Sequence, residues 1–329
     1  MENLHENSPC CGGKVWRDGI RRRRCSICKK RWRIYQRRRG RKRLRTNPVL
    51  FKRFMDGSLP NLSKYAVKRN VSVRTMQRRL TASRDAYLQR TSWPEIPKGG
   101  LIAVADATIW QIANKYHTSY EVLLRPIESD VAVITPPYWQ IGKETINGWH
   151  NAFSTLSEDL IYRIVALVCD GHRGLHNEAY WQRWYIQRCH FHLLSSIRGR
   201  RSPTIYSRHA DEGRRMYDLA NLIITNTDIE RVKPAINEIE ELGLLTRSAQ
   251  LRKIILGFVN HYEDYRTYLS YPSLRLPRTS NSAETFASFL WKLVQTASGY
   301  PTVESFQRWS EALIKYRRTI ICRPSYHPN

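Results

Sequence analysis

The 329-residue sequence has no apolar run approaching the roughly 20 residues that a helix needs to cross a bilayer. Its opening stretch, MENLHENSPCC, has neither a basic n-region nor an apolar h-region, so a secretory signal is not expected. Acidic residues are scarce: 28 Asp and Glu face 55 Lys and Arg, leaving a formal charge of +27. That imbalance calls for a polyanionic partner, nucleic acid first and an anionic membrane surface second. Cysteines number seven, an odd count, and four of them fall within the first 28 residues. This argues against a disulfide framework and for an intracellular chain whose thiols serve as metal ligands, reactive groups or small buried residues. There is no internal repeat, and no low-complexity tract apart from one basic run.

That run defines residues 1–45. Between Lys14 and Arg45 there are 17 Lys or Arg and one acid, Asp18. Cys25 and Cys28 form a C-x-x-C pair, the spacing that presents two thiolates to one zinc ion. The expected second pair is irregular: Cys10 and Cys11 are adjacent, Ser8 stands three before Cys11, and His5 is a further candidate ligand. Two readings stay open. Cys10, Cys11, Cys25 and Cys28 hold one structural Zn²⁺, or the knuckle has lost its metal and is held by Trp16, Trp32 and Tyr35. Arg21, Arg22, Arg23 and Arg24, with the Arg37–Arg43 run, suit phosphate contacts; a solvated tail or localisation signal is the alternative.

Residues 46–92 read as helices. From Asn61 to Leu80 the pattern fits a helix-turn-helix. Leu62 and Ala66 share a face, Asn70 suits a left-handed turn, Val71 fills the corner and Ser72 caps the second helix. Met76 and Leu80 point inward, which leaves Arg74, Thr75, Gln77 and Arg78 outward, where a recognition helix reads a major groove. A plain helical hairpin is the alternative. Residues 93–100, with two prolines and two glycines, read as a linker.

A different texture follows. Leu101–Trp110, Tyr120–Ile127 and Val131–Thr135 are strand candidates, with a turn at 128–130. Thr145–Leu156 is a helix, Tyr162–Asp170 an apolar strand covered on both faces, Leu175–Trp184 a helix and Tyr185–Cys189 a strand. An antiparallel meander followed by parallel crossovers is the wiring of an RNase H-like α/β core. Residues 193–278 read as a helical insertion, for example Asp228–Leu242 and Ala249–Tyr262. Residues 279–329 return to the core as C-terminal helices, with Ser282 to Arg318 helical and its apolar residues from Ala283 to Ala297 at 3.6-residue spacing.

Phosphoryl transfer by two metal ions needs carboxylates converging from different elements, around ions roughly 4 Å apart. Asp106 lies in the first strand, Asp170 ends the fourth, before Gly171, and Glu284 starts the late helix. Taken singly, Asp170 has the look of a turn or cap residue. Asn281 and Glu284 likewise form a capping pattern, Asn281 as N-cap. Asp106 resists such a reading: amid Ala103, Val104, Ala105, Ala107 and Ile109, burial without a partner or metal is costly. Trp181, Trp184, Trp291 and Trp309 occupy helix positions where core packing is the default, with stacking on an unpaired base the alternative.

Three segments carry a resemblance: Asp-Gly-His-Arg-Gly-Leu at 170–175, Arg-Cys-His-Phe-His at 188–192 and Thr-Ser-Asn-Ser-Ala-Glu at 279–284. They resemble the Mutator-like class of DDE transposases and related bacterial insertion-sequence transposases. That class has an Asp-Gly turn after the fourth strand, a Cys-x-x-His element matched by Cys189 and His192, and an Asn-x-x-Glu helix start matched by Asn281 and Glu284. Lys292 takes the place of its basic helix residue, and Gly299 that of a frequent glycine. The N-terminal knuckle and helix-turn-helix resemble its site-binding front end, from which the incomplete first cysteine pair departs.

The resemblance implies a metal-dependent DNA transposase using two Mg²⁺ (or Mn²⁺) ions on Asp106, Asp170 and Glu284. It implies cleavage at the ends of a mobile element and joining of 3′-hydroxyl ends to target DNA. Double-stranded DNA is the implied partner, with a homodimer or larger assembly on it, a cytoplasmic, nucleoid-associated location and no membrane. His172 and Arg173 are placed to touch the scissile phosphate, unless they are plain surface residues. Cys189 and His192 are a zinc half-site, DNA-orienting groups, or a buried cysteine and a structural histidine. The main rival function is a DNA-binding regulator that kept the fold and lost the chemistry; a Holliday-junction resolvase is more distant.

Overall fold

The computed structural model describes residues 8, 10–18, 22–33, 46–59, 61–199, 209–297 and 302–325. His5, Arg21, Tyr35, the Arg37–Arg43 run and Gly299 lie outside them. The chain divides into two compact units, Met1–Thr46 and Asn47–Asn329.

In the first unit, β1 (Val15–Arg17), β2 (Arg22–Cys25) and β3 (Arg31–Arg33) form an antiparallel sheet in that order. Cys25 ends β2, and the turn that returns the chain to β3 carries Cys28 and Lys29, the latter in the left-handed region.

The second unit opens with three helices. In α1 (Pro48–Met55) the Asn47 side chain accepts from Leu50 N and proline occupies the first turn, where its missing N–H costs nothing. Asn61 caps α2 (Leu62–Lys68), and Ser72 caps α3 (Val73–Arg90) through Thr75 N. Asn70, at φ +49°, makes the turn between them, and Val71 N bonds back to Ala66 O.

A seven-stranded mixed sheet follows: β4 (Leu101–Ile112), β5 (Lys115–Pro126), β6 (Val131–Ile134), β7 (Tyr138–Ile141), β8 (Ile164–Cys169), β9 (Tyr185–Arg188) and β10 (Thr319–Ile321). Its order is β10-β6-β5-β4-β8-β9, with β7 also on β5. β4 pairs antiparallel with β5 and parallel with β8, which pairs parallel with β9. The helices are α4 (Ile146–Ser154), α5 (Glu158–Arg163), α6 (Arg173–Gln182), α7 (His190–Arg198), α8 (Ala210–Thr225), α9 (Ile229–Leu245), α10 (Ala249–Val259), α11 (Thr267–Ser270), α12 (Asn281–Ala297) and α13 (Val303–Arg317). The architecture is mixed α/β, and no helix among the described residues is long and apolar enough to cross a membrane.

Several elements depart from the sequence-based expectation. β5 begins five residues before Tyr120, because Ala113 and Asn114, both at positive φ, close a two-residue hairpin without glycine. Tyr162 belongs to α5 rather than to the strand. The expected C-terminal helices are α12 and α13, and an unexpected strand, β10, follows them. β7 and β10 were not expected: runs of four and three residues show no alternation of their own and exist by pairing with β5 and β6.

Three cores result. One face of the sheet, with Ile102, Val104, Trp110, Ala166 and Val168, packs against α12, α13 and the three N-terminal helices. The other, with Ala103, Ala105, Leu167 and Cys169, packs against α4 and α6. The third core is internal to α7–α10. The first binds α1–α3 to the sheet layer: Arg84 lies 5.0 Å over the Trp309 ring, and the Tyr87 hydroxyl donates to Lys315 O at 3.0 Å.

Candidate active site

Side chains alternate between faces along a strand. On β4, Leu101, Ala103 and Ala105 face α4 and α6, whereas Ile102, Val104, Trp110 and Ile112 face α12 and α13. Asp106 keeps the second parity. β8 runs parallel with Val104 opposite Val168, so two positions on, Asp106 is level with Asp170 on the same face. α12 lies over that face, with Glu284 in its first turn. Ligand atoms of Asp106, Glu284 and His192 lie within 4.8 Å of one another.

Local hydrogen bonds aim these groups. Asp106 Oδ1 accepts from Ala107 N, and Asp170 Oδ1 from His172 N, both at 2.8 Å. Gly171, at φ +95°, adopts a conformation that side chains disfavour, and a Cβ there would run into the Arg188 guanidinium. His172 caps α6 by accepting from Gly174 N at 3.0 Å. At the start of α7, Cys189 N donates to Cys169 O (2.7 Å) and His190 N to Arg278 O (2.9 Å). The buried Cys189 sulfur accepts from Ser280 N at 3.3 Å. This short segment thus joins the end of β8 to the start of α12. His192 Nε2 then lies 3.1 Å from Glu284 Oε1.

The expected Asn281 cap takes another form. Ala283 N and Glu284 N both donate to Ser280 O, and Asn281 is already helical, so Glu284 is free to face the site.

Burial pushes the Asp106 carboxyl up to about 7, with Asp170 and Glu284 adding to the rise and His192 and the Ala107 N–H opposing it. Glu121, directly across the β4–β5 ladder from Asp106, is wholly buried and raised well above the carboxylate range by desolvation. Its carboxyl accepts from the Ser119 hydroxyl, which opposes that rise. Glu144 is also raised, chiefly by burial; it accepts from Trp149 Nε1 at 2.6 Å and lies 3.6 Å from His172 Nδ1. Glu121 and Glu144 escaped the sequence reading, and Arg188 entered it only as the first residue of the 188–192 motif. For Glu121 a signal existed, a lone acid in the run Tyr120–Leu124; for Glu144 there was none.

The remaining expected residues are dispersed. Arg173 and Lys292 are exposed, Lys292 with its Nζ 6.0 Å from the Phe289 ring centroid. On α3, Arg74, Gln77 and Arg78 are exposed, while Thr75 is half-buried and its hydroxyl lies 2.9 Å from that of Ser72. Trp184 and Trp309 are core residues, but Trp181 and Trp291 are 58% and 46% exposed, against expectation. Trp291 stacks at 4.7 Å on Trp110.

In the first unit the sulfurs of Cys10, Cys11, Cys25 and Cys28 converge within 4.8 Å. Cys10 Sγ lies 3.1 Å from Cys28 Sγ, and Cys11 Sγ 3.3 Å from Cys25 Sγ. The Ser8 hydroxyl donates to Cys25 Sγ at 3.3 Å and is the main cause holding that thiol down at about 5. Along β2, Arg22 is exposed and Arg23 and Arg24 are half-buried.

Against known proteins, the family model described as Transposase, Mutator family matches residues 137–318, more than half of the chain. The chain therefore belongs to the Mutator family of transposases. The matched segment holds Asp170, Cys189, His192 and Glu284; Asp106, on β4, precedes it. No curated protein matches the chain.

Proposed function

We propose that this transposase cuts and joins DNA through Asp106, Asp170 and Glu284, on a core of RNase H-like type with α7–α10 as its helical insertion. The observation that carries the reading is the shared parity and register of Asp106 and Asp170 beneath the first turn of α12. Carboxylate oxygens from three elements are a donor set for Mg²⁺ or Mn²⁺. Glu284 Oε1 is buried and has no hydrogen bond among the described residues beyond its ion-pair contact with His192 Nε2 at 3.1 Å, a nitrogen that could share the ion. Two bound ions would supply activation of the attacking oxygen and stabilisation of the leaving one.

The chain's own groups do the rest. Asp106 and Asp170, each two positions past the Val104–Val168 pair, would set the spacing. His192 Nε2, 3.1 Å from Glu284 Oε1, offers a nitrogen to the same cluster. In the cut, a water oxygen bonds to phosphorus, the P–O3′ bond breaks and a 3′-hydroxyl is left. In the join, that hydroxyl attacks a target phosphodiester and displaces its 3′-oxygen. No enzyme nucleophile is required.

For binding, α3 would present Arg74, Gln77 and Arg78 to a major groove, with Thr75 beside its cap. The four cysteines would hold a structural zinc ion. Tetrahedral Zn–S bonds of about 2.3 Å place sulfurs roughly 3.8 Å apart, near the spacing present. The assembly on paired DNA ends would be a dimer or larger.

The test is cleavage of DNA carrying the element's ends, in Mg²⁺ and in EDTA, by wild type, Asp106→Asn, Asp170→Asn and Glu284→Gln. Metal-dependent nicking lost in every variant, with end binding intact, is the expected result. Full activity in one variant removes that residue. Specific binding by a wild type that never cuts would instead favour a regulator.

A further inference from the structure

A second group of metal-type ligands lies outside the acidic site. His176 occupies α6, four residues beyond its cap His172. His261 and Asp264 sit just past the end of α10, in the helical segment that returns the chain to the sheet. Ligand atoms of the three lie within 4.8 Å of one another. The two imidazole rings are 5.2 Å apart between centroids, and His261 Nδ1 is 3.3 Å from Asp264 Oδ2. Bonds of about 2.0–2.1 Å to nitrogen and oxygen set neighbouring ligands of a tetrahedral ion roughly 3.3 Å apart. One edge already has that spacing.

His176 carries an independent sign. Its Nε2 is buried and has no hydrogen-bond partner among the described residues, a state that folded proteins rarely leave unmet. A cleft of about 620 Å³, lined by His176, Tyr180, Tyr185 and Asp264 among others, gives an ion a path from solvent. Arg188 faces both His176 and Asp264 and opposes a cation, but its guanidinium is drawn onto the Tyr265 ring at 5.1 Å. Asp264 and the nearby Asp170 and Glu263 outweigh it in charge.

We propose that His176, His261 and Asp264 bind a divalent ion of the zinc class, which staples the helical insertion to α6. Two imidazoles and one carboxylate favour such an ion over Mg²⁺, and a three-residue set leaves a position for water. Because α6 starts three residues after Asp170, the staple would hold the insertion against the element that orients the active-site turn.

The experiment is a Co²⁺ titration of the full chain, read by absorption and bound equivalents. Thiolate ligation gives strong near-ultraviolet charge-transfer bands, whereas an imidazole–carboxylate site gives only weak visible bands. His261→Ala and His176→Gln should each bind one equivalent fewer than wild type, with any thiolate bands unchanged. The same deficit should appear when His261→Ala is combined with Asp106→Asn or with Cys25→Ser, so that ions held by the acidic cluster or the cysteines do not account for it. His261 is exposed, so its variant decides the matter if His176→Gln does not fold. No deficit in His261→Ala, or a deficit that disappears in the Asp106→Asn background, would overturn the proposal.

Discussion

Asp106 lies on β4 two positions past Val104, and Asp170 lies two positions past its partner Val168, just beyond the end of β8, with Glu121 opposite Asp106 on β5. Burial and two neighbouring carboxylates hold Asp106 up at about 7, whereas an unfolded aspartate releases its proton near pH 4. The folded chain therefore binds the extra proton. Its contribution to stability is present in acid and lost as pH rises through 7. Without divalent ions, Asp106→Asn should remove this slope and exceed wild type at pH 8 by roughly 2–4 kcal/mol, at about 1.4 kcal/mol per pH unit. Urea melts at pH 6 and pH 8 check this; identical slopes would mean that Asp106 is ionised throughout.

The same proton competes with metal. Binding of Mn²⁺ at the acidic cluster should weaken by about tenfold per pH unit below 7 and level off above it. Calorimetric titrations across pH 5.5–8.5, in steps of about half a unit, measure the linkage. Glu121→Gln should leave the profile in place, because burial disfavours the Glu121 carboxylate. A profile flattened in that variant would give the proton to Glu121.

The Cys189–Ser280 bond makes a third prediction. Cys189→Ala leaves the Ser280 N–H buried without a partner, at a cost of about 1–3 kcal/mol. Since Ser280 begins the turn that carries Glu284, turnover should fall further than DNA affinity. Melting curves together with separate binding and cleavage assays decide it; an unchanged variant would leave Cys189 as a mere space-filler.

Gly171→Ala should be among the most damaging single-methyl changes in the chain. It forces an alanine to φ +95° and into the Arg188 guanidinium, for a loss above about 2 kcal/mol. Chemical denaturation measures it. A near-neutral result would show that Arg188 moves aside freely.

On α3 the two faces should separate cleanly. Arg78→Ala or Arg74→Ala should leave stability unchanged and lower the salt slope of DNA binding by about 1 each if they meet phosphates. Leu80→Ala should cost about 2–4 kcal/mol. It should do so in one cooperative transition of the second unit, because Leu80 shares a core with the sheet and α13. A separate low-stability transition for α1–α3 would refute that shared core.

Much of this was legible locally. Asn61, Asn70 and Ser72 announced two helices and their turn, because caps and left-handed turns depend on neighbouring residues alone. The apolar run ending at Cys169 and the lone acid among small apolar residues at Asp106 pointed to a buried strand and a costly charge. The charge of +27 and the three motif segments indicated a DNA partner and the transposase family. What alternation could not show was pairing. β7 and β10 are too short to carry a pattern, and each exists by pairing with a neighbouring strand.

Only the tertiary structure decided which distant groups meet. Glu121 lies beside Asp106 through strand register, the Cys189 sulfur meets the Ser280 amide across 91 residues, and His176 meets His261 through the return of the helical insertion. Cap, turn and strand signals are short-ranged and sit in the sequence itself. Contacts between separate elements follow from register and packing, which no single segment encodes.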